Sequence, residues 1–474
     1  MVRLGTPPAI WGRYFLMAMV FCAAYLGELA IVPALGAESP IKILTREEAL
    51  KFALEKNKDI QKAREYKNSV EGRYMEERSA ALPQLSLSAG WIRDRDDTFK
   101  SLLGGLFPPE KETRTIEIGL SQPLYTFGRV GAAIRAAKIG LATAEDQLRI
   151  FQQAALRDVS SAFDDILLAK ELYALAIQNL EQKTRHLDEA RRKFAAGTAT
   201  EYDVLAAEVA MENAKPEVIR RENLTQVSRE KLRFLLGLEG QEVDVQGTLD
   251  SLPKTYPSYA EGMEVAWKAR PDLSDLQKRI GIQAELVRIY GAGDKPRVDL
   301  KASYGWRELN YIYAAKGDGQ VWSAGIFLSY PFFDGLKSQG KTAQAKSDLN
   351  SLKIEEAKLK DSISLQVRDA VNACREAEEI MKALSGNVKQ AERLLKMAEK
   401  GYEFGVKTKL EVDDAQLNVL EAKGNLAKAR RDYSVTLVTY AWVRGTLGEK
   451  SGNHSFEVPS TAVSGGEGKG LPEK

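Results

Sequence analysis

The side chains best placed to do chemistry in this chain are carboxylates at two sites that copy one another. Residues 194–204 (FAAGTATEYDV) recur 208 residues later as residues 402–412 (YEFGVKTKLEV). In the second copy Glu411 and Asp414 lie three apart, so on a helix they share one face. Repeated about a symmetry axis, such a pair makes a ring of carboxylates that favours cations. Mutual repulsion would make closure of that ring sensitive to pH and salt. Asp203 is the first-copy counterpart of Glu411, whereas Ala206 replaces Asp414. A simpler role is open to all three acids, because a helix N-terminus welcomes negative charge.

Other chemistry is hard to find. No Gly-rich phosphate loop follows a strand, and there is no nucleophile elbow or zinc-ligand spacing. The two histidines, His186 and His454, are far apart, and Cys22 and Cys374 have no close thiol partner. No enzyme activity, cofactor or metal is therefore expected. Charged residues make up 28% of the chain with a formal net charge of +2, which argues against a nucleic-acid partner.

The ends read differently from the middle. Residues 1–37 suggest a secretory signal: Arg3 and Arg13 precede an apolar stretch from Tyr14 to Gly27, and Gly36 and Ala37 offer small residues for cleavage. An uncleaved anchor is the alternative. Cys22 follows Phe21 rather than a small residue, which speaks against lipid attachment. Residues 449–474 are rich in Gly, Ser, Pro and charge, and are expected to be disordered.

Elements that would carry the acids are long. No proline interrupts Gly128 to Ala196 or Phe332 to Val458. A helix of ~68 residues spans about 100 Å and needs a partner along its length. Val367, Ala370, Cys374, Ala377, Met381, Leu384, Val388, Ala391, Leu395, Ala398 and Tyr402 step by three and four, as do Val159, Ala162, Ile166, Ala169, Tyr173, Ala176, Leu180, Lys183, Leu187, Ala190 and Phe194. These are heptad stripes in which only Lys183 is charged; it suits either a register device or a snorkelling stem. Cys374 reads as packing. Gly197 and Gly405 suit the left-handed position after a helix, and Thr200 and Thr408 the N-cap of the next. Returning helices are expected over 201–236 and 409–446, the first carrying Pro216.

Before each long helix comes a shorter one and a pair of strands. Thr45 and Glu48 form a capping box ahead of Ala49, Leu50, Ala53 and Leu54, with a break near Asn57 to Asp59; the pattern returns at residues 262–273. Leu85, Leu87, Ala89 and Trp91 then alternate with small or polar residues, as do Ile116, Ile118 and Leu120. The second copy offers Val298, Leu300, Ala302 and Tyr304, then Trp322, Ala324, Ile326 and Leu328, with Phe327 breaking the alternation. Four strands of about ten residues, apolar on one face, fit either a soluble sandwich or a membrane barrel with a wet lumen. Four strands cannot close a barrel alone, and lipid does not tolerate open edges.

Two copies of helix, hairpin, long helix, glycine tip and returning helix resemble the TolC-like outer-membrane efflux proteins. The resemblance covers roughly residues 42–448 and rests on Ala49 to Ala53, Asn57 to Ile60, the strand-exit prolines Pro123 and Pro331, and the two tips. It divides the chain into a first repeat over 38–250 and a second over 251–448. It implies a mainly α fold with a small membrane β part, and a homotrimer with a twelve-stranded β-barrel in outer-membrane lipid and a long helical tunnel in the periplasm. It further implies that Glu411 and Asp414 line the closed end, although this chain has Glu at the first where a family member carries Asp. Gly197, Thr200, Gly405 and Thr408 would meet a periplasmic adaptor protein, coupled to an inner-membrane efflux pump or ABC exporter. A non-conducting trimeric coiled-coil scaffold or adhesin is the alternative; it does not require the hairpins.

Overall fold

The computed structural model describes residues 41–96, 110–249, 258–312 and 315–448. The expected signal at 1–37 and the tail at 449–474 lie outside these residues. The element order is β1 (Lys42–Leu44), α1 (Arg46–Lys56), α2 (Lys58–Ser79), β2 (Gln84–Arg95), β3 (Glu110–Tyr125), α3 (Arg129–Ala195), α4 (Glu201–Leu236), β4 (Val243–Val245), α5 (Tyr259–Ala269), α6 (Pro271–Gly291), β5 (Arg297–Tyr311), β6 (Ala315–Ser329), α7 (Lys337–Glu403) and α8 (Lys409–Val443).

Helices α3 and α7 are each 67 residues long and continuous. Their heptad stripes supply the core: Val159, Ala162, Ile166, Ala169, Ala176 and Leu187 are buried on α3, and Val367, Ala370, Cys374, Ala391 and Ala398 on α7. Alanine lets the backbones approach, and burial raises the Cys374 thiol pKa, which leaves it a packing group. The stripes fade at the tips, where Phe194 and Tyr402 are exposed because the coil ends there. Helix α4 continues through Pro216, and α8 stops at Val443, three residues short of the sequence expectation.

Along the lower part, α4 packs on α3, α3 on α8 and α8 on α7; along the upper part the order is α2, α3, α6, α7. The outer helices of this array keep apolar side chains exposed. Tyr202, Leu205, Val209 and Phe234 on α4, and Ile354, Leu365, Leu394 and Met397 on α7, have no cover among the described residues.

The hairpins join into one antiparallel sheet in the order β2-β3-β5-β6. Its strands run 12, 16, 15 and 15 residues, longer than the alternating pattern suggests. The extra length is charged and paired across strands: Arg93 with Glu110 at 2.9 Å, Lys111 with Asp94 at 3.2 Å, and Lys316 with Glu308 at 3.1 Å. A second, two-stranded parallel sheet pairs β1 with β4 beside the α1 core; three residues are too few to show a period.

The turn from sheet to long helix places two consecutive residues at positive φ in each copy, Phe127 and Gly128, then Gly335 and Leu336. One of each pair is not glycine, a strained choice for an aromatic or a γ-branched side chain.

Candidate pore constriction and channel wall

Each tip is built from the same parts. Gly197 (φ 73°) and Gly405 (φ 70°) end the long helices in the left-handed region. The next amides close the turn, Thr198 N–H onto Lys193 O at 2.9 Å and Val406 N–H onto Gly401 O at 2.8 Å. Thr200 then caps α4: its hydroxyl accepts from Asp203 N–H at 3.3 Å, while Asp203 Oδ2 accepts from the Thr200 amide at 2.8 Å and hydroxyl at 2.7 Å. Thr408 and Glu411 repeat the box on α8, with Glu411 Oε2 accepting from the Thr408 amide at 2.8 Å.

Those bonds occupy two of the three candidate acids. The Thr200 amide and hydroxyl hold the Asp203 carboxyl below its ordinary pKa. Glu411 also accepts from Lys407 Nζ at 2.5 Å through its other oxygen. The lysine first, then the Thr408 cap, pulls its pKa down to about 2. Asp414 lies one turn further along α8, exposed and outside the cap.

A polar cluster that sequence spacing does not show joins the two hairpins behind the second tip. Lys183 on α3 donates to Asp413 on α8 at 3.0 Å, and Lys409 lies 3.6 Å from the same carboxylate. His186, one turn beyond Lys183, accepts from Lys409 at 3.1 Å through Nδ1, lies 3.9 Å from Glu189, and has Gln416 at 3.3 Å from Nε2. The Gln416 carbonyl oxygen is buried with no partner among the described residues. Exchanging its amide O and N would let a neutral imidazole donate through Nε2–H. Burial first, then the Lys409 charge, lowers the His186 pKa, and burial likewise lowers that of Lys409. Lys183 is therefore a cross-hairpin partner, not a solvated stem. Its isolation in an apolar stripe was the only sequence signal.

The sheet sorts its two faces by register. One face carries rows of apolar residues: Leu87, Ile118, Tyr304, Trp322; Leu85, Leu120, Ala302, Ala324; then Leu300 beside Ile326 and Val298 beside Leu328. Leu85, Leu87, Trp91, Ile116, Ile118, Trp322, Ile326 and Leu328 are exposed on it, while Leu120, Val298 and Leu300 are half-buried. The opposite face carries Ser86, Gly119, Ser303 and Ser323 in one row, the last two bonded at 3.0 Å. An exposed apolar band on a sheet backed by a small, polar face suits lipid on one side and water on the other. Among the described residues no helix is long and apolar enough to cross a membrane.

A sheet of this kind continuous with a helical array longer than a bilayer defines an envelope channel protein. The family model for "Outer membrane efflux protein" matches residues 49–238 and 263–441, so the chain belongs to that family. It is accordingly an outer-membrane efflux channel, with its helices forming a tunnel in the periplasm. The outer membrane protein TolC of Vibrio cholerae is 24% identical over 385 residues, 79% of this chain and 84% of that protein. The alkaline protease secretion protein AprF of Pseudomonas aeruginosa is 24% identical over 381 residues, 78% of each. The Campylobacter jejuni CmeC outer membrane channel superposes with a TM-score of 0.76 at 16% identity, over 86% of this chain and 87% of that one.

Proposed function

We propose that three copies of this chain close into one conduit, with the four-stranded sheets forming a shared barrel and the helical arrays a shared tunnel. The observation that carries this is the pair of open edges. β2 and β6 end the sheet, while α4 and α7 end the helical array with their apolar side chains uncovered. Lipid forbids unpaired strand edges, and a head-to-tail ring satisfies both edges with one rotation. The tips at Gly197, Thr200, Gly405 and Thr408 dock a periplasmic adaptor, which delivers cargo from an inner-membrane pump or ABC exporter. AprF is named for secretion of a protease; this chain's cargo is set first by the pump that delivers it.

The closed end is the second tip. Asp414 faces the axis, with Glu411 beside it partly neutralised by Lys407 and Asp203 retained mainly as a cap. In planar bilayers the reconstituted protein should conduct, and should run as a heat-modifiable trimer on gels. Silence together with no heat-modifiable trimer would favour the scaffold. Replacing Glu411 and Asp414 together with Ala should raise leak conductance or lower cation selectivity; if neither changes, the constriction lies elsewhere. Normal capture of the cognate adaptor by Gly405→Trp would remove the docking role of that tip.

A further inference from the structure

Phe327 departs from the sheet's alternation beside the row of serines. Phe327 lies opposite Asp299 on the serine face rather than among the apolar rows, and its ring is exposed. Lys301, on the same face of β5, places its ammonium 5.4 Å from the centre of that ring. The ring rests over Gly325, where a Cβ would lie in ordinary contact with it at 3.4 Å. Ser86, Ser121, Ser303 and Ser323 floor a recess of about 490 Å³ beside the pair.

Lys301 has no carboxylate partner among the described residues. Asp299, its neighbour on that face, is bound by Arg297 at 2.8 Å. Glu117, the next acid on the face, sits four residues beyond Ser121 on β3, about 13 Å along the strand. An ammonium poised at an aromatic edge of a hydroxyl-lined recess offers one charge, one stacking face and several small donors. This matches an anion that carries a flat apolar body, since the anion pairs with the ammonium while the body lies against the ring.

We propose that Lys301 and Phe327 form a contact station in the barrel lumen for aromatic or amphiphilic anions passing through the channel. The inference rests on the lumen reading of the serine face given above. In a closed trimer the station would occur three times at one level, above the acidic constriction. A channel built this way combines a cation-favouring tip with an anion-holding barrel, so the two ends select on different properties of the cargo.

The test uses the full-length protein in planar bilayers, with naphthoate added on the barrel side and single-channel block recorded. Naphthoate should produce brief closures that acetate and naphthylmethylammonium do not. Lys301→Gln should weaken the block roughly tenfold, as expected for losing a charge-assisted bond. Phe327→Leu should weaken it roughly threefold through lost stacking, and Lys301→Arg should retain it. Equal block by acetate or by the cation, or unchanged block in Lys301→Gln or Phe327→Leu, overturns the station while leaving the channel intact. A wild-type protein that does not conduct overturns the lumen reading and the station with it.

Discussion

The two tips share a backbone and differ in what lies behind them. Both end a long helix on a left-handed glycine and begin the next on a threonine capping box. Behind the first tip, α4 packs on α3 and leaves Tyr202, Leu205 and Val209 exposed. Behind the second, α8 lies between α7 and α3 and spends its first two turns on the Lys183, His186, Lys409 and Asp413 cluster. Duplication therefore supplied the same turn twice, and the polar seam makes only the second one conditional. The first tip has its capping box and an exposed Arg191–Glu208 pair at 3.5 Å between α3 and α4; the second adds a half-buried ion pair and a histidine whose pKa lies below its ordinary value.

The largest expected effect is at the seam. Lys183→Glu sets a carboxylate against Asp413, and loss of a pair worth about 1 kcal/mol should raise leak conductance roughly fivefold. Lys183→Glu with Asp413→Lys should restore it, and a double variant as leaky as the single would break the argument for pairing. Acidification should come next. The His186 pKa lies below its ordinary 6.5, so the unfolded or opened state binds protons first. The seam's stability is then complete above about pH 6.5 and falls as pH drops through the lowered value. On protonation His186 becomes a third cation beside Lys409 and Lys183, faced among the described residues by Asp413 and Glu189. Conductance should rise between pH 7.5 and 5, and His186→Gln should flatten that profile. A profile that survives the substitution assigns the sensitivity elsewhere. Glu411 does not titrate there, since it stays ionised until about 2.

The caps should matter least. Thr200→Ala and Thr408→Ala each remove a box worth about 1 kcal/mol, so amide exchange at each tip should quicken roughly fivefold. Only Thr408→Ala should also alter conductance, because it frees Glu411. Equal conductance changes in both would erase the distinction between the tips.

Much of this architecture is legible in sequence because its determinants are local. Unbroken stretches without proline, three-four stepping of small apolar residues, and a glycine followed three residues later by threonine each act within a few turns. The strand faces are legible for the same reason, and Phe327 marks itself by interrupting them. The seam is not legible: Lys183 and Asp413 are 230 residues apart and meet only because α8 packs across α3. Asp413 itself sits between Glu411 and Asp414 and has no spacing that sets it apart. Strand ends such as Arg93 to Arg95 are hidden because cross-strand ion pairs, not alternation, hold them. The roles of Asp203 and Glu411 turn on hydrogen bonds that either reading of the acids allows.

The most direct test is a matched pair of single-channel recordings, Asp413→Ala at the second tip against Asp203→Ala at the first. The account predicts that Asp413→Ala raises leak conductance several-fold, roughly the fold-change of a lost half-buried pair, while Asp203→Ala leaves it at the wild-type level. Equal conductance in the two variants, or a larger rise in Asp203→Ala, would contradict the assignment of the gate to the second hairpin.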